Sequence, residues 1–146
     1  MRNLKLWFGV ALVLVFVHLF FHNVLLKNPT DVSRKFVVMK SDMDYMLGMG
    51  GNVVYRKDLD RGSVASLTRS ISADSWTNQL FGKYQAALED RGWKVRPHTE
   101  NARWEACKLG VLAALDKKPE FFPALSTETY GVRFEYSAGT ISECGP

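Results

Sequence analysis

Read for its apolar and polar positions, the chain divides into one uninterrupted apolar run and a longer stretch in which helix and strand periodicities alternate. From Leu4 to Leu26 it reads LKLWFGVALVLVFVHLFFHNVLL, with Lys5 as its only charged residue. A helix of that length rises about 1.5 Å per residue, spans the roughly 30 Å hydrocarbon core of a bilayer and satisfies its own backbone groups. The run predicts a single transmembrane helix, ended by Asn28-Pro29-Thr30-Asp31. Beyond Gly48-Met49-Gly50-Gly51, the β-branched and aromatic residues Val53, Val54 and Tyr55 predict a short strand, and polar Asp58–Ser72 predicts a loop. Trp76, Leu80, Tyr84 and Leu88 recur at helical spacing with Phe81 and Ala87 beside them, Asp74-Ser75 offer capping oxygens, and Gly92 supplies a stop. Trp93–Arg96 reads as a short strand ended by Pro97. Thr127–Ser137 alternates strictly, with Tyr130, Val132, Phe134 and Tyr136 on the face to be buried.

One segment fits two patterns. Trp104, Cys107, Val111 and Leu115 share a face if 103–116 is helical; the alternative is a hairpin of Arg103–Lys108 and Val111–Asp116 turning at Leu109-Gly110. Gly110 favours the hairpin, because glycine is poor in a helix interior and well suited to a turn. The elements add up to an α+β fold: an N-terminal transmembrane helix, then a small antiparallel sheet packed against one long amphipathic helix. The expected division is an anchor at 1–27, a juxtamembrane linker at 28–51 and an α+β domain at 52–146.

Composition changes this picture little. Removing Arg2 and Lys5, which flank the apolar run, from the 19 basic residues leaves 17 against 15 acidic ones. The signs are interspersed, as in Arg56-Lys57-Asp58 and Glu89-Asp90-Arg91, whereas nucleic-acid binding needs a basic stripe, so a nucleic-acid partner is not expected. The apolar run exceeds the about 7–15 residues of a cleaved signal peptide's core, and Val24–Pro29 lacks small residues for a peptidase, which favours an uncleaved anchor. The flanking charges disagree on orientation: Arg2 and Lys5 argue for a cytoplasmic N-terminus, but Lys27, Arg34, Lys35 and Lys40 follow the run and argue for a cytoplasmic domain. Cys107 and Cys144 show neither zinc nor redox spacing. Read as a disulfide, they place the domain in an oxidising, extracytoplasmic compartment; read as two buried thiols, they place it nowhere.

Candidate chemistry is sparse. His18 and His22 lie one turn apart in the apolar run, and an ionisable group in lipid is a functional candidate, although His22 is near enough to the end to reach the interface. Met39, Met43 and Met46 fall at helical spacing with Met49 beyond, and thioethers bind Cu(I); the plainer reading is an apolar stripe packing on the domain or the lipid surface. His98 follows Pro97 in a loop and reads as a surface residue. No carboxylate pair is marked by contrasting surroundings, there is no G-x-S-x-G, and Gly48-x-Gly50-Gly51 precedes a strand where a phosphate cradle needs a helix. No catalytic residue, cofactor or firm metal ligand is predicted.

Tyr84-x-x-x-Leu88-x-x-Arg91-Gly92-Trp93, followed by Cys107-Lys108 beside a glycine turn and a C-terminal Cys144, resembles a pattern in small uncharacterised bacterial envelope proteins, membrane-tethered or lipoproteins, over Val53 to Cys144. The resemblance implies an α+β domain on the outer side of the inner membrane and lends no catalytic residue. The expectation is a non-enzymatic interaction module, held in the bilayer by residues 4–26, that meets an envelope protein through the sheet face or edge its helix leaves open, with Tyr130, Phe121 or Phe122 as exposed aromatics. The alternative is an envelope protein binding a small ligand or Cu(I) on the methionine face.

Overall fold

The computed structural model describes residues 2–20, 29–97 and 102–145. Among them the order is α1 (Arg2–Phe20), α2 (Val32–Leu47), β1 (Val53–Arg61), β2 (Val64–Ser72), α3 (Asn78–Asp90), β3 (Lys94–Val95), β4 (Arg103–Lys108), β5 (Val111–Asp116), β6 (Glu120–Phe122), β7 (Thr127–Tyr136) and α4 (Ala138–Cys144). The fold is α+β, with an antiparallel sheet in the order β1-β2-β7-β5-β4-β3, and β6 paired to the first residues of β7.

No helix among the described residues is long and apolar enough to cross a membrane. The transmembrane helix expected over 4–26 is thus not shown: α1 opens on Arg2, Asn3 and Lys5, and residues 21–28 lie outside the described residues. Residues 9–19 of α1 are all exposed.

The segment expected as a linker holds α2, the helix that crosses β2, β7 and β1 and has α3 beside it. Val32, Phe36, Met39, Met43 and Met46 are spaced four, three, four and three residues apart, which lines them along one face. Met39, Met43 and Met46 are fully buried, so the methionine stripe is core. The sheet is therefore covered by two helices where one was expected. Arg34, Lys35, Lys40, Asp42 and Asp44 fill the turns between those apolar positions and make the helix read as a polar tether.

The polar stretch expected as a loop, 58–72, is instead the second half of β1 and all of β2, joined at Gly62-Ser63. Ala65, Leu67, Arg69 and Ile71 point into the core, and it is Arg69 that interrupts an otherwise regular apolar alternation. The hairpin reading of 103–116 holds, with Arg103 opposite Asp116 and Lys108 opposite Val111. Leu109 (φ 50°) and Gly110 (φ 79°) both take the left-handed conformation that a two-residue turn demands to match strand twist.

Helix α3 begins two residues later than its apolar spacing suggests. Thr77 is the cap, its hydroxyl accepting from the Leu80 N–H, while Ser75 of the expected cap accepts from Asn52 N–H and donates to the Ser72 carbonyl. The end is as expected: Gly92 at φ 87° lets its N–H reach the Glu89 carbonyl and Trp93 N–H reach the Leu88 carbonyl, which caps the last turn and buries Trp93 beneath it. The tail folds into α4 through a reciprocal cap between Ser137 and Thr140. Cys107 and Cys144 form a disulfide, Cα to Cα 5.4 Å, that ties α4 to β4.

Candidate functional site

With α2 and α3 on one side, α4 near the disulfide is the one described helix on the other side of the sheet, where Ser70, Ser72 and Thr129 are buried, Thr68, Ala114 and Glu135 half-buried and Arg133 exposed. Pairing registers set its outward side chains in rows across the strands. Thr68 of β2 stands opposite Arg133 of β7, which stands opposite Ala114 of β5, then Glu105 of β4. The next row runs Ser66, Glu135, Leu112 and Cys107. Arg133, Glu105 and Glu135 carry the charge of these rows, and each has uncharged cross-strand neighbours within them.

Ion pairs hold this surface in place. Asp116 accepts from Arg103 Nε at 2.9 Å and from the Gly131 N–H at 3.2 Å. It fills the gap in the ladder between the end of β5 and the start of β6, and a Cβ at residue 131 would collide with its carboxylate. The Arg103 guanidinium is held protonated above its usual range, first by that hydrogen bond and then by the charge of Asp116. Arg96 Nη1 donates to Glu105 at 2.9 Å and to Glu143 of α4 at 3.0 Å. The hollow between Thr68, Asp116 and Arg133 measures about 40 Å³, far below the roughly 300 Å³ at which small-molecule sites begin. A wider groove of about 700 Å³ follows β3, lined by Lys94, Arg96, Lys108, Glu143 and the disulfide. Charge on and beside this face comes from Arg133, Glu135 and the Arg103–Asp116 and Arg96–Glu105–Glu143 pairs.

A second polar centre lies inside. Asp42 of α2 is fully buried and accepts from Arg91 Nε at 2.7 Å, Lys108 Nζ at 2.8 Å and Trp93 Nε1 at 2.9 Å. One carboxylate thus joins α2 to the end of α3 and to β4. Arg69, 2% exposed, pairs with Asp58 and donates to the Thr68 carbonyl, while its Nε has no partner. Sequence reasoning missed both groups. The available signal was position: Asp42 is three residues from Met39 on the buried stripe, and Arg69 sits between Leu67 and Ile71 in the inward alternation.

The other predicted residues scatter. Tyr130 is half-buried and stacks on Trp76 with centroids 4.5 Å apart, Phe122 leans on Tyr55 at 5.1 Å, and Phe121 is exposed. These rings form no continuous patch with the charged rows. Met39, Met43 and Met46 are core side chains, and among the described residues no group of His, Cys, Asp and Glu is placed to hold a metal. His18 is exposed on α1; His22 and His98 lie outside the described residues.

The chain matches no protein-family model, no curated protein and no solved structure. The likeness to bacterial envelope proteins therefore rests on the motif residues alone.

Proposed function

We propose that the chain is a membrane-anchored, extracytoplasmic interaction module of the bacterial cell envelope, whose uncovered sheet face receives another envelope protein. The observation that carries the reading is that face: α2 and α3 bury the opposite side, the hollow at Thr68, Asp116 and Arg133 is only about 40 Å³, and the Arg103–Asp116 and Arg96–Glu105 ion pairs fix its edge. The anchor is supported by the apolar sequence of 4–26 and by the exposure of residues 9–19 in α1, where Leu12, Leu14 and Phe16 are at least 60% exposed. A helix apolar all round belongs in a protein core or in lipid. The disulfide supports an oxidising compartment.

Site-specific photocrosslinking of the full chain in cells tests this. A crosslinker at Thr68, Ala114 or Arg133 is expected to give one adduct of constant mass that Arg133→Glu in the Thr68 variant abolishes, whereas crosslinkers at exposed Lys40 and Glu89 on the helices give none. Adducts from the helix positions alone would move the interface to the other face. A chain released from membranes by alkaline carbonate would refute the anchor.

A further inference from the structure

We infer that the end of the domain at which α2 starts is a phospholipid-headgroup site, a small cavity that takes the phosphate of an anionic lipid while Leu109 enters the acyl boundary. The inference rests on the anchored reading above. It begins with reach. From Leu26 to Val32 is six peptide steps, at most roughly 22 Å of chain, so the first turn of α2 stays close to the bilayer. The same end of the domain carries the β4–β5 turn, because Lys35 Nζ donates to the Leu109 carbonyl at 2.9 Å, and Tyr136 Oη donates to Asp31 at 2.6 Å.

Three features converge there. A cavity of about 250 Å³ has a floor of Met39, Trp93 and Val111, all buried, and an exposed edge at Arg34, Val38 and Leu109. Lys35 and Lys108 complete its lining with Asp31. Asp31 is engaged by Lys35 and the Tyr136 hydroxyl, and Asp42 by Arg91 and Lys108; with Arg34 on the cavity edge, four cations meet two carboxylates and positive charge is left over. Leu109 is 59% exposed at the tip of a turn and is held at φ 50°, where a leucine is strained and glycine or asparagine would be at ease. An apolar side chain kept in an unfavourable backbone conformation, facing outward between cations, matches an interfacial contact in which the tail enters the acyl boundary and the cations hold headgroups.

The test uses the full chain reconstituted in vesicles of phosphatidylcholine alone and of equimolar phosphatidylcholine and phosphatidylglycerol, with amide hydrogen exchange read across the domain. Exchange at Lys108–Val111 and in the first turns of α2 is expected to slow about fivefold or more only with phosphatidylglycerol, while α3 is unchanged. Arg34→Glu, on an exposed side chain, and Leu109→Gly, which relieves the turn, are each expected to remove most of that protection and leave α3 exchange as before. An integrated chain with equal exchange in both vesicles overturns the headgroup site and leaves the anchor standing. Protection produced in phosphatidylcholine vesicles by inorganic phosphate would make the ligand free phosphate and overturn the lipid assignment. A chain that carbonate extracts overturns the anchor, and this inference with it.

Discussion

Replacing Asp42 by alanine removes the acceptor on which Arg91, Lys108 and Trp93 converge. Deleting one partner of a fully buried ion pair costs about 3–5 kcal/mol because the remaining charge is stranded. Here both cations reach water on one side, Arg91 with 37% and Lys108 with 21% of its side chain exposed. Their loss is discounted accordingly, to roughly 1–2 kcal/mol between them. The Trp93 N–H has no such exit, and leaving it unsatisfied adds about 1–3 kcal/mol. The expected cost is about 3 kcal/mol, a large share of the roughly 5–15 kcal/mol that stabilises a domain. Asp42→Asn, which keeps an acceptor for the indole, is expected to cost about half as much by the same reasoning. The assay is urea unfolding of the full chain in non-denaturing detergent, followed by tryptophan fluorescence with the disulfide intact. With a slope of about 1–3 kcal/mol per molar urea, the Asp42→Ala midpoint falls by roughly 1–3 M at unchanged slope. Asp44→Ala, two residues on and exposed, is the control. An Asp42→Ala midpoint indistinguishable from that of Asp44→Ala would refute the idea that this carboxylate holds α2 to α3 and β4.

Three further outcomes follow from contacts elsewhere. The disulfide closes a separation of 37 residues, so Cys144→Ser or full reduction is expected to cost about 4 kcal/mol, and the two treatments should give the same urea midpoint. Asp58→Ala strands the guanidinium of Arg69 and is expected to cost about 2–3 kcal/mol, most of it recovered in an Asp58→Ala/Arg69→Met double variant; a double variant no more stable than the single one would show that Arg69 is not stranded. Tyr84 is pushed up to about 12 by burial, and Tyr136 to about 12 by burial and then by its hydrogen bond to Asp31, against an ordinary 10.0. Their contributions are present in full below pH 10 and lost as pH rises towards 12, so ultraviolet titration should show two of the five tyrosines ionising late, as stability falls. The same bond lowers Asp31 from 3.8, so its contribution is present above that value and lost as pH falls through the lower one.

Legibility in the sequence followed the regularity of each element. In β7 polar and apolar residues alternate along nearly the whole strand, and α3 repeats its apolar positions every four residues, so both could be read directly. The β4–β5 hairpin was decided by Gly110, a local signal. By contrast α2 and β2 each carry one ionisable residue, Asp42 and Arg69, on the buried face. Asp42 and Arg69 are tolerated there because three donors meet the first and a carboxylate meets the second, and those partners come from 11 to 66 positions away. Nothing local announces such a partnership, so the segments looked like linker and loop. The short α4 was missed for another reason: seven residues are too few for periodicity, and only the Ser137–Thr140 cap marks its start. The open face was half legible. The alternation of β7 leaves Arg133 and Glu135 on its polar side, but Thr68 and Ala114 beside Arg133 needed the strand order, and β2 had not been seen as a strand.

Orientation is where the disulfide and the basic residues after the apolar run make opposite demands. Counted as topogenic charges, Lys27, Arg34, Lys35 and Lys40 hold the domain on the cytoplasmic side, whereas a Cys107–Cys144 bond persists on the oxidising side. Local contacts reduce the conflict. Lys35 lies 3.9 Å from Asp31, donates to the Leu109 carbonyl and sits over the Tyr136 ring at 5.5 Å, so it has work within the folded domain. Arg34 lines the cavity that the headgroup inference fills. Residues kept for folding and for headgroups need not report topology, and an outward domain is the expected outcome. A membrane-impermeant maleimide applied to intact cells should then label Cys107 and Cys144 only after reduction, without permeabilising the inner membrane. Arg34→Glu should leave that pattern unchanged, since on this argument the side chain serves the lipid surface after folding. Thiols that label only after lysis, with no need of a reductant, would place the domain in the cytoplasm and make the basic residues the better guide.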